Sequence, residues 1–134
     1  MIHISEASSI AIHMLALMVG AESRLNVNKL GGMTNFSRNH ISKVMQILVK
    51  AGYLASERGP RGGFSLKTSD QEITLLEIIE LMEGKIEEKH CRMYENNCPF
   101  EECVFGGMPE KLTRELKLYF ASTRISDVKR ISQP

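Results

Sequence analysis

The stretch YLASERGPRGGFSLK, residues 53–67, constrains the fold more than any other part of this chain. Two short arms, 53–57 and 64–68, flank the sequence GPRGG. Glycines in that turn permit positive φ and Pro60 fixes the bend, so the pattern predicts a β-hairpin. An isolated two-stranded hairpin is only marginally stable in water. The hairpin therefore has to pack against other elements of the chain.

Helical patterns precede the hairpin. Residues 8–20 carry two apolar stripes and no charge, which predicts a helix that is buried nearly all round. A short helix follows in NVNKLGGMTN, residues 26–35, and a longer one in FSRNHISKVMQILVKAG, residues 36–52, with Ser37 or Asn35 as its N-cap. The longer helix has four apolar residues at helical spacing: Ile41, Val44, Met45 and Leu48.

Two helices joined by a tight polar turn and followed directly by a basic hairpin have the order of a winged helix-turn-helix. The second helix of such a unit lies in the major groove of duplex DNA, with its N-terminal half toward the bases. The wing contacts phosphates or enters the minor groove. The candidate DNA-binding residues are therefore Arg38, Asn39, His40, Ser42 and Lys43 of the helix, and Arg58 and Arg61 of the wing.

The charge distribution favours a polyanionic partner for the first half of the chain. The formal net charge is only +1, but from residue 23 to residue 67 eight basic residues accompany a single acid, Glu57. From residue 70 to residue 110, eleven acids accompany three basic residues. The basic half thus agrees with binding to double-stranded DNA. The acidic half is expected to serve a function other than DNA binding.

Two further helices are predicted in the second half. In ITLLEIIELMEG, residues 73–84, Thr74 and Glu77 have the spacing of a capping box. The sequence PEKLTRELKLYFASTRISDVKRI begins a last helix at Pro109, with an apolar stripe made by Leu112, Leu116 and Tyr119 or Phe120. One chain of 134 residues has little left to cover that stripe, so we expect a homodimer.

The expected fold is mainly α with a small β-hairpin wing: a winged helix-turn-helix plus a C-terminal dimerisation helix. Its parts are a DNA-binding domain at 1–84 with the wing at about 53–68, a cysteine loop at 85–107, and the dimerisation helix and tail at 108–134. No nucleophile with its base, phosphate loop or substrate-pocket motif occurs in the sequence. We therefore expect a regulator and not an enzyme.

The sequence also indicates a cellular location. It does not open with a charged region followed by an apolar run and a small-residue cleavage site, and no uncharged stretch is long enough to span a membrane. Its three cysteines form an odd set, whereas a secreted disulfide framework normally uses an even one. We expect a cytoplasmic protein with no membrane partner.

All three cysteines lie in HCRMYENNCPFEECVFGG, residues 90–107. Cys91, Cys98 and Cys103 are too widely spaced for a zinc knuckle. Three thiolates on one loop suit an iron–sulfur cluster, which normally takes four protein ligands. The fourth ligand is then a histidine, a carboxylate, an exogenous small molecule or a residue of the partner subunit. The alternatives are redox-active or packed thiols without a cluster, and an iron–sulfur electron carrier or enzyme.

The chain resembles the IscR and NsrR group of bacterial winged-helix repressors, the Rrf-two family. The residues that carry the resemblance are IHISEASSIAIHMLAL, the block FSRNHISKVMQILVKAGYLASERGPRGGFSL, the ITLLEIIELMEG helix and the three-cysteine loop. It implies a homodimeric repressor that binds promoters and senses nitric oxide, iron or redox state. The sensor would be a 2Fe–2S or 4Fe–4S cluster on Cys91, Cys98 and Cys103. Other relatives lack a cluster and respond through thiol oxidation or a partner protein.

The resemblance also suggests where the fourth ligand lies. Gly106 stands where relatives of the IscR kind have a ligating histidine, and Ser9 stands where nitric-oxide sensors use an acid from the first helix of the other subunit. His13 lies one turn further along that helix and resembles the histidine with which a redox-sensing relative ligates across the dimer. In order of preference, the candidate fourth ligands are His13, His90, and Glu101 or Glu102.

Overall fold

The computed structural model describes residues 3–88, 91, 93 and 97–128. Its elements in chain order are α1 (Glu6–Met18), α2 (Val27–Met33), α3 (Arg38–Lys50), β1 (Leu54–Glu57), β2 (Gly63–Leu66), α4 (Leu75–Glu83), α5 (Met108–Ser122) and a 3₁₀ turn (Ile125–Asp127). This order confirms the expected mainly α fold with a small hairpin. Within the described part of the chain, no helix is both long enough and apolar enough to cross a membrane.

Among the α-helices of the described residues, all except α5 have a side-chain oxygen that caps the N-terminus. Ser5, Asn26 and Ser37 each accept a hydrogen bond from the backbone N–H three residues further on, which satisfies one of the free donors of the first turn. Ser37 is thus the N-cap of α3. Thr74 and Glu77 form the predicted capping box at the start of α4.

One apolar core joins the elements, and α1 lies at its centre. This helix packs against both α3 and α4 and also contacts β2 and the 3₁₀ turn. The side chains that contribute most are fully buried: Ile10, Met14 and Leu15 of α1, Ile41, Met45 and Leu48 of α3, and Ile78 and Ile79 of α4. Removing such side chains from water supplies about 1.5–3 kcal/mol each.

The second apolar stripe of α1 is only partly covered. Ile12, Leu17 and Val19 are half-buried, and His13 is exposed. A single chain packs α3, α4 and β2 on one side of α1 and covers the other side only in part. Of the residues of α1, only Glu6 and His13 are exposed, so His13 is the exception to the predicted burial.

The hairpin pairs in antiparallel register, with Leu54 opposite Leu66 and Glu57 opposite Gly63. Leu25, just before α2, forms an isolated antiparallel β-bridge with Phe64 of β2. Its N–H donates to the Phe64 carbonyl at 3.1 Å, and the Phe64 N–H donates to the Leu25 carbonyl at 2.8 Å. The wing is thus bonded to the segment that leads into the helix pair.

Tyr53, at the base of the hairpin, is linked to α4. Its hydroxyl donates to Glu77 Oε1 at 2.9 Å. Burial, and then the hydrogen bond to Glu77 and the negative charge of that residue, raise the pKa of Tyr53 to about 12. The phenol therefore remains a hydrogen-bond donor at neutral pH.

The chain that follows α5 returns to the beginning of α4. The Leu75 N–H donates to the Thr123 carbonyl, and the Ile125 N–H donates to the Ile73 carbonyl, both at 2.9 Å. Ile125 is fully buried, so this end of α5 is fixed to the core. The rest of the predicted tail, residues 129–134, lies outside the described residues.

Glu83, the last residue of α4, binds the first turn of α1. Its Oε1 accepts a hydrogen bond from the Ser5 N–H at 2.8 Å and from the Ser8 hydroxyl at 2.6 Å. Hydrogen bonds from Ser5 and then from Ser8 lower the pKa of Glu83 below its ordinary value of 4.5. Because the cysteine loop begins just after α4, this contact joins that loop to α1.

We expect Glu83→Gln to reduce the free energy of unfolding by about 1 kcal/mol at neutral pH, since the buried Ser8 hydroxyl loses a charged acceptor. A lowered pKa means that this contribution is present above the ordinary carboxyl pKa and is lost as the pH falls through and below it. In thermal denaturation followed by circular dichroism, the difference in Tm from wild type should be constant from about pH 7 to about pH 5 and should shrink as the pH falls below the ordinary carboxyl value of 4.5.

Glu87→Gln is the matched control, because Glu87 is an exposed acid four residues further along the chain. It should leave Tm unchanged at each pH. A Tm difference for Glu83→Gln that is the same at every pH would contradict the role assigned to the carboxylate.

Candidate nucleic-acid interface and cysteine site

Helix α3 has one polar face turned away from the core. Asn39 and Lys43 are exposed on it. Gln46 and Lys50 are also exposed and continue the same row, because residues three and four apart lie above one another on a helix. The sequence prediction included Asn39 and Lys43 but missed Gln46. The spacing of Gln46 from those two residues was the signal that would have found it.

Arg38, at the start of α3, is held against α2. Its Nε donates to Asn28 Oδ1 at 3.1 Å. Its aliphatic stem covers the buried Gly31, where a Cβ atom would lie 2.8 Å from Arg38 Cγ. The side chain is nonetheless exposed. Arg38 thus presents its guanidinium from a stem that is fixed by α2.

His40 and Ser42 are less available than the other predicted helix residues. Both are half-buried, because they flank the buried Ile41 on its two sides. His40 Nδ1 lies 3.8 Å from Glu6 Oε2 of α1, a contact that becomes an ion pair when the imidazole is protonated. Asn39 and Lys43 are therefore better placed than His40 and Ser42 to reach DNA.

Arg58 and Arg61 are exposed on the turn between β1 and β2. Glycine is required where this turn closes. A Cβ atom on Gly62 would collide with the Glu57 carbonyl oxygen, and Gly63 has φ +141° and would place a Cβ atom 2.8 Å from the Leu25 carbonyl oxygen. The close approach of Gly63 to Leu25 holds the base of the turn that carries both arginines.

The three cysteines line a single cavity of about 310 Å³. All three thiols are free. Cys91 is half-buried, while Cys98 and Cys103 are exposed. The other residues that line the cavity are mostly apolar: Met93, Phe100, Val104 and Phe105, with Glu101 as the acid.

The cysteine site has the donor set of an iron–sulfur centre, with one ligand still to be found. Thiolates are the usual ligands of such clusters, and three of them face one cavity here. Among the described residues, no group of three or more His, Cys, Asp or Glu side chains is placed to hold a single metal ion. The ligand type, a thiol, therefore suits an iron–sulfur group, and the number of thiols is one short of the usual four.

The candidate fourth ligands differ in their position relative to the cysteine cavity. Glu101 lines the cysteine cavity, Glu102 is exposed outside it, and His90 lies outside the described residues. His13 lies on α1 and does not line the cavity of its own chain.

The exposed His13 ring contacts Ser9 of the same helix and the ring of Phe36. Its Nδ1 lies 2.6 Å from the Ser9 carbonyl oxygen. The carbonyl contact is a hydrogen bond when the proton is on Nδ1, which leaves the lone pair on Nε2, whereas the Ser9 hydroxyl, 3.3 Å from the same nitrogen, can donate or accept. The edge of the ring packs on Phe36, with 5.8 Å between the ring centroids. This tautomer is the one needed for ligation through Nε2.

Helix α5 carries an apolar stripe that its own chain leaves uncovered. Leu112, Leu116 and Tyr119 are 46%, 40% and 59% exposed, whereas Phe120 is only 8% exposed and packs on the core. Tyr119 rather than Phe120 therefore continues the outward stripe of Leu112 and Leu116.

Residues 4–130 match the model of the Rrf2 family, described as "Iron-dependent Transcriptional regulator". A protein of Aquifex aeolicus named as an HTH-type transcriptional regulator is 31% identical over 127 residues, which cover 92% of this chain and 87% of that protein. BadM of Rhodopseudomonas palustris, also named as an HTH-type transcriptional regulator, is 33% identical over 69 residues. The match covers 52% of this chain and 44% of BadM.

Solved structures of regulators share the fold. CymR, the global cysteine regulator of B. subtilis, superimposes with a TM-score of 0.78 at 22% identity, with 95% of each chain covered. IscR of T. potens gives a TM-score of 0.68 at 22% identity, with 94% of this chain and 85% of that chain covered. These likenesses confirm the winged-helix architecture.

We expect Gly63→Ala to weaken DNA binding by about tenfold, because a Cβ atom at this position strains the backbone and pushes Leu25 away from the wing. Gly59→Ala is the control, since Gly59 also has positive φ (+108°) but has open space around its Cβ position. Fluorescence anisotropy with a labelled duplex measures both variants. Equal losses would mean that backbone strain in the turn, rather than the contact with Leu25, causes the effect.

Proposed function

Because this chain belongs to the Rrf2 family of transcriptional regulators, and its relatives are regulators rather than enzymes, we propose that it is a homodimeric repressor controlled by an iron–sulfur cluster. The cluster, of the 2Fe–2S or the 4Fe–4S type, would report redox state, nitric oxide or iron. The observation that carries this proposal is the single cavity lined by Cys91, Cys98 and Cys103.

The DNA-reading part of the proposal places α3 in the major groove of an operator. Asn39 and Gln46 have the amide groups that pair with adenine, and Lys43 has the charge for guanine or phosphate. Arg58 and Arg61 of the wing would contact phosphates or the minor groove. The exposure of these side chains supports this assignment.

The dimer part of the proposal rests on α5. A second copy would cover the stripe of Leu112, Leu116 and Tyr119, which Met108 extends toward the start of the helix. A two-fold symmetric dimer presents two copies of α3 and so matches an operator with two half-sites.

In the dimer, Cys91, Cys98 and Cys103 would hold the cluster, with His13 of the partner subunit as the fourth ligand. The exposed Nε2 of His13, set by the bond from Nδ1 to the Ser9 carbonyl, supports this choice. When bound, the cluster would supply iron–thiolate bonds that are sensitive to oxidation, nitric oxide and loss of iron.

The chain offers a route from the cysteine loop to α3. Glu83, just before that loop, holds Ser5 and Ser8 of α1. In the same turn of α1, Glu6 faces His40 of α3. A change in the position of the loop would then alter the tilt of α3 through the first turn of α1, and DNA affinity would follow.

A second candidate is a cluster-free repressor of the same family that responds to thiol oxidation or to a partner protein. The exposure of Cys98 and Cys103 favours it, since accessible thiols are the ones that react. Iron and sulfide content separates the two candidates.

We expect Lys43→Ala to weaken binding to all duplexes alike and to reduce the slope of log affinity against log salt by about 1, because a phosphate contact is lost. Asn39→Ala should instead cost about 1–3 kcal/mol on the preferred sequence and relax the preference at one position. Selection from a random pool followed by anisotropy measures both. Lys85→Ala, which removes an exposed charge from the acidic half, is the control.

Protein purified without oxygen should contain two or four irons per chain, with matching sulfide, in a dimer observed by native mass spectrometry. Cys98→Ala should lose the iron and the dependence of DNA binding on the signal, while its circular dichroism stays that of wild type. His13→Ala should lower the iron content without affecting the apo fold. A metal-free wild-type dimer would favour the cluster-free candidate, and a Cys98→Ala protein that still switches would rule out the cluster.

A further inference from the structure

The lone acid in the basic half of the chain is engaged in an ion pair. Glu57 ends β1 opposite Gly63, and its Oε1 lies 2.8 Å from Arg24 Nη2. The side chains of Glu57 and Arg24 are 59% and 40% exposed. Exposed pairs of this kind add little to folding stability. The role of this pair is therefore to be sought in binding.

The fold places Arg24 beside the wing. Arg24 directly precedes Leu25, whose backbone is bonded to Phe64 in both directions, at 3.1 and 2.8 Å. Arg24 and Arg61 line the same cleft of about 580 Å³, between β2 and the segment that precedes α2. The cleft also contains the carboxylate of Glu22. Arg24 thus belongs to the same basic surface as Arg61, although 37 positions separate them in the sequence.

We propose that Arg24 is a further phosphate-binding residue of the DNA interface, and that Glu57 competes with the DNA phosphate for its guanidinium. A carboxylate and a phosphate both offer the paired oxygens that the guanidinium fork recognises. In the free protein Glu57 holds Arg24, and on the duplex a phosphate replaces it. The inference rests on the proposed DNA-binding function.

The competition affects every DNA sequence alike. Phosphate contacts supply most of the sequence-independent affinity of a DNA-binding protein. When a phosphate replaces Glu57 at Arg24, one ion pair is exchanged for another. The affinity for DNA therefore increases less than it would if an unpaired arginine made a new contact. Glu57 therefore lowers the affinity for DNA in general and leaves base recognition by α3 unchanged.

The test measures binding of the full-length protein to a mixed-sequence duplex over a range of salt concentrations. Glu57→Gln keeps the shape of the side chain and an acceptor oxygen, and should tighten binding on the order of three- to tenfold at low salt. Arg24→Gln should weaken binding and reduce the salt slope by about 0.9. In the Arg24→Gln background, Glu57→Gln should retain only the small general charge effect that Glu22→Gln shows, because the cation for which it competes is gone.

Glu22→Gln is the matched control, since it removes the same charge from the same cleft. Its effect should be equal with and without Arg24. An equal gain from Glu57→Gln in both backgrounds would reveal a general charge effect and overturn the inference. Weaker binding by Glu57→Gln, which would mean that the pair holds the wing in place, or no change at all, would overturn it as well.

Binding of the wild-type protein to the duplex distinguishes a failure of this inference from a failure of the proposed function. If the wild type does not bind the duplex at low salt, the proposed function fails and the inference fails with it. If the wild type binds with a normal salt dependence and the Glu57→Gln effect does not depend on Arg24, only the competition is wrong.

Discussion

Burial of one face of α1 is the contact on which the other parts of the molecule depend. The side chains of Ile10, Met14 and Leu15 are fully inaccessible to solvent, and α1 packs on both α3 and α4. Helix α3 carries the polar face that we assign to DNA, and the cysteine loop starts just after α4. The same buried side chains that stabilise the fold therefore also fix the position of the two functional parts relative to each other.

Apolar groups remain exposed on the cysteine loop and on α5. Phe100, Val104 and Phe105 of the cysteine loop are 59–67% exposed, and α5 presents its own apolar stripe. A monomer rarely exposes so much apolar surface without a function. A single partner, a second copy of the chain, would account for the stripe on α5, the apolar cysteine loop and the outward-facing His13 together.

Local sequence signals were sufficient for the secondary structure. The capping box of Thr74 and Glu77 and the turn at GPRGG lie within a few residues of the elements that they define, so each could be identified without knowledge of the fold. The contacts of Glu57 and Glu83 could not be predicted. Their partners, Arg24 and Ser8, are 33 and 75 positions away, and the fold alone brings them together. The exposure of His13 escaped prediction for the same reason, because it depends on which side of α1 the chain covers.

The first turn of α1 is where the two halves of the chain can influence each other. On one side, the Glu83 carboxylate accepts hydrogen bonds from Ser5 and Ser8. On the other, Glu6 faces His40 at 3.8 Å. The two contacts differ in kind: the first involves the buried hydroxyl of Ser8 and a carboxylate with a lowered pKa, whereas the second joins two partly exposed groups. A hydrogen bond to a buried group is costlier to break than an exposed ion pair. A displacement at the end of α4 would therefore carry the first turn of α1 with it and would reach α3 through the packing of α1 on that helix, while the exposed Glu6–His40 contact adjusts to the new position.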